Sequence, residues 1–215
     1  MELIKSISFS QEQILQDIVA LHTGPIHADV TFGMGNFYRP VDRGPGNIVW
    51  MSRKEIVKQP RPEFCFDLAP RVPGVIAADV CHLPLRDSCL RSVAFDPPFM
   101  ARTGPGATLK ARFGELVGTI KDLWNFYFLA IREIHRVLLP GGWMVMKCQD
   151  GVLSGKNNWT ERQVSNYAEA IGFIQVDKFI LLATHRMNHP HHTRQLHARK
   201  YHSYFLGNYI LDSRK

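Results

Sequence analysis

Four apolar runs in the first half of the chain each end at an acidic residue or a glycine turn, and no other feature limits the fold so strongly. Residues 26–32 (IHADVTF) contain Asp29 and lead into Gly33-Met34-Gly35. Residues 63–68 (EFCFDL) stop at Asp67, 74–80 (GVIAADV) at Asp79, and 90–95 (LRSVAF) at Asp96-Pro97-Pro98-Phe99. Such unbroken apolar segments read as strands covered on both faces, which places them in a parallel sheet. Helical periodicity fills the intervals: residues 11–22 behind Ser10 as N-cap, a long pattern over 112–138 ended by Pro140-Gly141-Gly142, and residues 160–171. Residues 143–149 (WMVMKCQ) form a fifth strand. Segments 173–184 and 200–209, joined by a polar loop rather than a helix, read as an antiparallel pair at one edge. The expected class is α/β, with a mostly parallel central sheet, an antiparallel edge strand and helices on both faces.

A chain of 215 residues has room for one core, so residues 1–215 are expected to form a single domain. Prolines and glycines make 36–62 an irregular insertion within it. The 45% hydrophobic content and 13 Phe exclude a disordered chain. No run approaches the roughly 18 apolar residues of a membrane span, and the first 16 residues lack a signal-peptide core. Cys65, Cys81, Cys89 and Cys148 form no CxxC pair and lie in or beside apolar runs, as reduced thiols of a cytoplasmic protein do. Charge divides unevenly: residues 1–100 carry 10 Lys and Arg against 11 Asp and Glu, whereas 101–215 carry 16 against 8. A basic half points to a polyanionic partner, nucleic acid ahead of an anionic membrane. An ordinary basic surface is the plainer alternative.

Ligands of open parallel sheets sit beyond the carboxyl ends of the strands, so the four endings should converge on one rim. A glycine turn admits close backbone approach to a ligand. A carboxylate ending the second strand can accept both hydroxyls of a ribose, and one ending the third can accept an adenine amine. Asp96-Pro97-Pro98-Phe99 is the most specific element. Its prolines fix the backbone, the Asp96 carboxylate and Pro97 carbonyl can both accept from one planar NH2 group, and Phe99 offers a stacking face. No cysteine follows a proline at a strand end, so the sequence marks no thiolate nucleophile there.

With these residues in place, the sequence resembles the class I S-adenosylmethionine-dependent methyltransferases. Within them it is similar to the amino-group DNA methylases, especially small adenine methylase-like proteins of phages and prophages. The matching stretches are DVTFGMGNFY (29–38), FDL (66–68), ADVCHLPL (78–85), FDPPF (95–99), HRVLLPGGWMVMKCQD (135–150) and HARKYHSYFL (197–206). The resemblance implies a Rossmann-like fold and S-adenosyl-L-methionine as cofactor. Asp29, Thr31, Gly33 and Gly35 would hold its methionine part, Asp67 its ribose, and Asp79 its adenine amine with the Val80 backbone nearby. Asp96, Pro97, Pro98 and Phe99 would hold the target base. A prokaryotic or phage-infected cytoplasm is the implied setting. The 36–62 insertion exceeds the family's minimal fold.

Two basic segments complete the reading. Residues 100–113 (MARTGPGATLKARF) follow the clamp, and Arg102, Lys110 and Arg112 are placed to reach phosphates on a lid over a flipped base. Residues 184–202 hold six of the ten histidines. A basic His-rich loop at about 185–200 puts Arg194, Arg199, Lys200 and His202 toward nucleic acid; its histidines lack a Cys or carboxylate neighbour, so no metal site is expected. Lys147 and Asp150 end the fifth strand near the same rim. The reading is therefore methyl transfer to an exocyclic amine of a nucleic-acid base, adenine N6 in DNA first. RNA guanine N2 or adenine N6 is the enzymatic alternative. A cofactor-binding assembly subunit and transfer to a glutamine amide stay open, as does a specificity subunit or homodimer.

Overall fold

The computed structural model describes residues 4–38, 61–99, 119–153, 156–182 and 201–209. Ten strands and three α-helices lie among them: β1 (Ile7–Ser8), α1 (Gln11–Ile18), β2 (Ala28–Asp29), β3 (Phe64–Asp67), β4 (Ile76–Ala77), β5 (Leu90–Phe95), α2 (Ile120–Val137), β6 (Leu138–Cys148), β7 (Gly151–Leu153), β8 (Lys156–Asn158), α3 (Thr160–Ala170), β9 (Phe173–Leu182) and β10 (Tyr201–Tyr209). Eight strands form one sheet in the order β1-β9-β10-β6-β5-β2-β3-β4, and β7 with β8 makes a separate hairpin. No described helix is long and apolar enough to cross a membrane.

The chain leaves β2 outward through β3 and β4, then returns to the other side of β2 as β5. This reversal sends the connections after β2 and β5 in opposite directions, opening the crevice in which α/β sheets bind ligands. Asp29 and Asp96 stand on its two sides.

Each strand near the centre feeds two cores because successive side chains point to opposite faces. On one face Val93, Phe95, Met144, Met146 and Phe66 pack against Tyr127, Ile131 and Ile134 of α2 and Val164 and Ala168 of α3. On the other, Ala94, Val145 and Cys65 pack against Ile14, Leu15 and Ile18 of α1. The helices start where side chains satisfy their first free N–H groups. Ser10 Oγ accepts from the Gln13 N–H at 3.1 Å, Thr119 and Asp122 cap α2 reciprocally, and Asp150 Oδ1 accepts from the Glu161 N–H at 3.0 Å.

The structure revises two of these expectations and adds one element. Strand β10 is antiparallel as anticipated but lies inside the sheet, paired to β6 and β9. The edge belongs instead to β1, which runs parallel to β9. The crossover through α3 sets β9 one strand-width beyond β6, and the returning chain fills that slot. The expected helix over 11–22 closes at Ile18 and continues as one wider turn over Val19–Thr23 ending at Gly24. The β7–β8 hairpin had no apolar pattern to announce it.

Candidate active site at the carboxyl rim

Strand β2 ends in a carboxylate whose two oxygens are both engaged within the protein. Asp29 is fully buried; Oδ1 accepts from the Thr31 N–H at 2.8 Å and Oδ2 from the Tyr38 hydroxyl at 2.8 Å. Burial drives its pKa up to about 7, with Asp96 and Asp67 adding to the rise against the two hydrogen bonds. The partner phenol of Tyr38 is held well above its ordinary value, again mainly by burial. Asp29 thus braces the turn from inside, and the turn presents backbone to a ligand.

Gly33 and Gly35 have φ of +54° and +71°, the left-handed region that glycine adopts without strain. A Cβ on Gly35 would stand 2.9 Å from the Phe32 ring, so the glycine also permits that ring to close the turn. The Gly33 N–H donates to Asp67 Oδ2 at 2.8 Å, and Asp67 Oδ1 accepts from the Ala69 N–H at 2.8 Å. Two backbone donors fix this carboxylate while further lone pairs stay available to hydroxyl groups. Beyond it, the Ala78 N–H donates to the Asp67 carbonyl, bringing the turn after β4 beside Asp67. There Asp79 is half exposed, accepts from the Cys81 N–H at 2.8 Å and lies 3.6 Å from His82. Val80 buries its side chain in the core.

The clamp after β5 is anchored from two sides. Thr31 Oγ1 accepts from the Asp96 N–H at 2.8 Å, and the Tyr127 hydroxyl of α2 donates to the Pro98 carbonyl at 2.5 Å. Phe95, beneath it, packs edge-on against Phe126 and Tyr127. The Asp96 side chain is 23% exposed, yet its Oδ1 is sealed from solvent and has no hydrogen-bond partner among the described residues. Burial raises the Asp96 pKa, opposed by the ammonium of Lys147, whose Nζ lies 4.0 Å from Oδ1. Lys147 Nζ donates to Gln11 Oε1 at 2.7 Å and lies 5.5 Å from the Phe99 ring centre and 5.9 Å from that of Phe37.

The structure therefore gathers Asp29, Thr31, Gly33, Gly35, Asp67, Asp79 and the 96–99 clamp along one rim. Lys147 joins them, whereas Asp150 caps α3. Arg102, Lys110, Arg112, Arg194, Arg199 and Lys200 lie outside the described residues, and of His202 only the backbone is described, paired with Leu181. Sequence reasoning missed Gln11, Phe37, Tyr38 and Tyr127. Tyr38 was within the quoted DVTFGMGNFY stretch, but only the turn's curvature returns it to Asp29; Gln11 gave no signal.

The residues present suit a nucleoside cofactor. A left-handed glycine turn faces a carboxylate fixed by backbone donors, and an orphaned carboxylate oxygen stands across the switch point. No family model matches the sequence. The human tRNA (guanine(6)-N(2))-methyltransferase THUMP3 is 26% identical over 151 residues, 67% of this chain and 26% of that protein. The chain thus spans about a quarter of that relative's length. The 1,6-didemethyltoxoflavin-N1-methyltransferase of Burkholderia thailandensis, solved with S-adenosylhomocysteine, is similar over 95% of this chain and 80% of its own, with 13% identity and a TM-score of 0.51. The [4+2]-cyclase SpnF matches over 93% of this chain and 81% of its own, with 14% identity and the same TM-score. The chain has the fold that a methyltransferase and a cyclase share.

Proposed function

We propose that the chain is an S-adenosyl-L-methionine-dependent methyltransferase acting on an exocyclic amine of a nucleic-acid base, adenine N6 in DNA first. One observation carries this reading: Asp96 Oδ1, buried and without a hydrogen-bond partner among the described residues, in a clamp at the switch point of the sheet. A buried acceptor left open costs free energy, and an N–H of a bound amine removes that cost. The glycine turn from Thr31 to Gly35 would hold the methionine part of the cofactor, Asp67 its ribose, and Asp79 with the Val80 backbone its adenine.

The cofactor supplies an electrophilic methyl group on a sulfonium. This chain's part is alignment and charge. Asp96 and the Pro97 carbonyl accept from the amine and favour the positive charge that develops on its nitrogen, while Phe99 stacks on the ring. Fixing the nitrogen in line accounts for up to about 7–11 kcal/mol in the best cases. A paired base has to leave the duplex to enter such a pocket. Arg102, Lys110 and Arg112 beyond the clamp, with Arg194, Arg199, Lys200 and His202, are proposed to hold the backbone that presents it.

A second reading, guanine N2 in RNA, is favoured by the similarity to THUMP3, a tRNA guanine N2 enzyme by name. Labelled S-adenosylmethionine offered with unmethylated DNA and with bulk tRNA, followed by nucleoside analysis, separates the two. N6-methyladenine in DNA, absent with Asp96→Ala, is the expected result. Label in tRNA alone transfers the function to RNA, and label in neither removes the reading.

A further inference from the structure

Lys147 is a cation held back from its anion. Its side chain is 9% exposed, with Nζ over the Phe37 and Phe99 rings at 5.9 and 5.5 Å from their centres. Gln11, the first residue of α1, takes the ammonium through Oε1 at 2.7 Å and is itself fixed by donating through Nε2 to the Phe37 carbonyl at 2.6 Å. At 4.0 Å from Asp96 Oδ1, Lys147 is too far for a hydrogen bond and near enough for strong charge interaction. A closed contact would occupy the lone pair that an amine needs. The observed spacing leaves that lone pair open and still places a positive charge against it.

We propose that Lys147, tethered by Gln11, is a positioning residue that holds the Asp96 carboxylate as a charged, open acceptor for the substrate amine; this rests on the functional reading above. Around Asp96 stand Asp29 from the end of β2, Tyr38 from the turn after it, Tyr127 from α2 and Lys147 from β6, with Asp67 beyond Asp29. Burial disfavours a charged Asp96, both phenols are held neutral by burial, and Lys147 supplies the opposing charge. Protonated, the carboxyl loses acceptor capacity and the charge that favours a cationic nitrogen.

The test follows the Asp96 carboxyl directly. Protein labelled with 13C-carboxyl aspartate is titrated by NMR, the Asp96 signal being assigned by its loss in Asp96→Asn. Lys147→Met should raise the midpoint by about one pH unit or more, a tenfold change in proton affinity. Gln11→Ala should raise it less, and Lys147→Arg should return it near wild type. The acid limb of methyl transfer should move with the midpoint, while S-adenosylmethionine affinity stays within about twofold. An unshifted midpoint in folded Lys147→Met overturns the inference; if that variant does not fold, an unshifted Gln11→Ala does so. A shifted midpoint in protein that methylates neither DNA nor RNA upholds the charge relationship and removes only the functional reading.

Discussion

The Thr31 hydroxyl accepts a hydrogen bond from the backbone N–H of Asp96 at 2.8 Å, joining the glycine turn to the clamp across the switch point. The same residue donates its own N–H to Asp29. One side chain therefore ties the proposed cofactor turn to the proposed base clamp, so that displacement of either is felt by the other.

Thr31→Val removes that acceptor while keeping the branched shape. It leaves the Asp96 N–H without its partner, at a cost of about 1–3 kcal/mol. Denaturant unfolding should register the loss, and methyl transfer should fall at least tenfold. Thr31→Ser should retain most of both. Equal activity in the Val variant would show that the link does not position the clamp.

Gly35→Ala introduces a Cβ 2.9 Å from the Phe32 ring at φ +71°. Left-handed backbone costs an L-residue roughly 1–2 kcal/mol, and the ring has to shift as well. A stability loss of about 1–3 kcal/mol is expected, with S-adenosylmethionine binding by calorimetry weakened at least tenfold.

The pH dependence of stability should carry the mark of Asp29. Its folded pKa, about 7, exceeds the ordinary carboxyl value of 3.8. Between these values the folded state holds a proton that the unfolded state has released, so this group's contribution to stability declines as pH rises from about 4 to 7 and is level beyond. Asp29→Asn lacks that titration. Its stability relative to wild type should rise with pH across the window, as measured by urea unfolding at half-unit steps. A constant difference would place the Asp29 pKa near its ordinary value.

Tyr127→Phe removes the hydroxyl that donates to the Pro98 carbonyl. A neutral hydrogen bond of this kind contributes about 0.5–1.5 kcal/mol. Cofactor affinity should be unchanged while the KM for nucleic acid rises, because α2 touches the clamp and the glycine turn lies across the crevice. A matching loss of cofactor affinity would contradict this division.

Much of the scaffold was legible in one dimension. The apolar runs ending at Asp67 and Asp96 are strands β3 and β5, the Ser10 cap is seen as expected, and the described part of the 112–138 pattern is helical over Ile120–Val137. Local rules suffice there, because strand burial and helix capping are set by neighbours within a few residues. The position of β10 was not legible, since a hairpin's sequence identifies one of its neighbours and not the strand on its far side.

The site divides in the same way. The sequence by itself determined the residue types at the rim and their order, because each closes a strand whose apolar pattern is local: the glycine turn, Asp67, Asp79 and the Asp96–Phe99 clamp. Only the tertiary structure decided what surrounds them. Gln11 reaches Lys147 across 136 positions, Tyr127 reaches Pro98 across 29, and Thr31 reaches Asp96 across 65. Contacts between distant elements depend on which strand enters which slot and on the side of the sheet each helix crosses. Those choices are made by burial over the whole chain, and they leave Asp96 with one open oxygen and a cation 4.0 Å away.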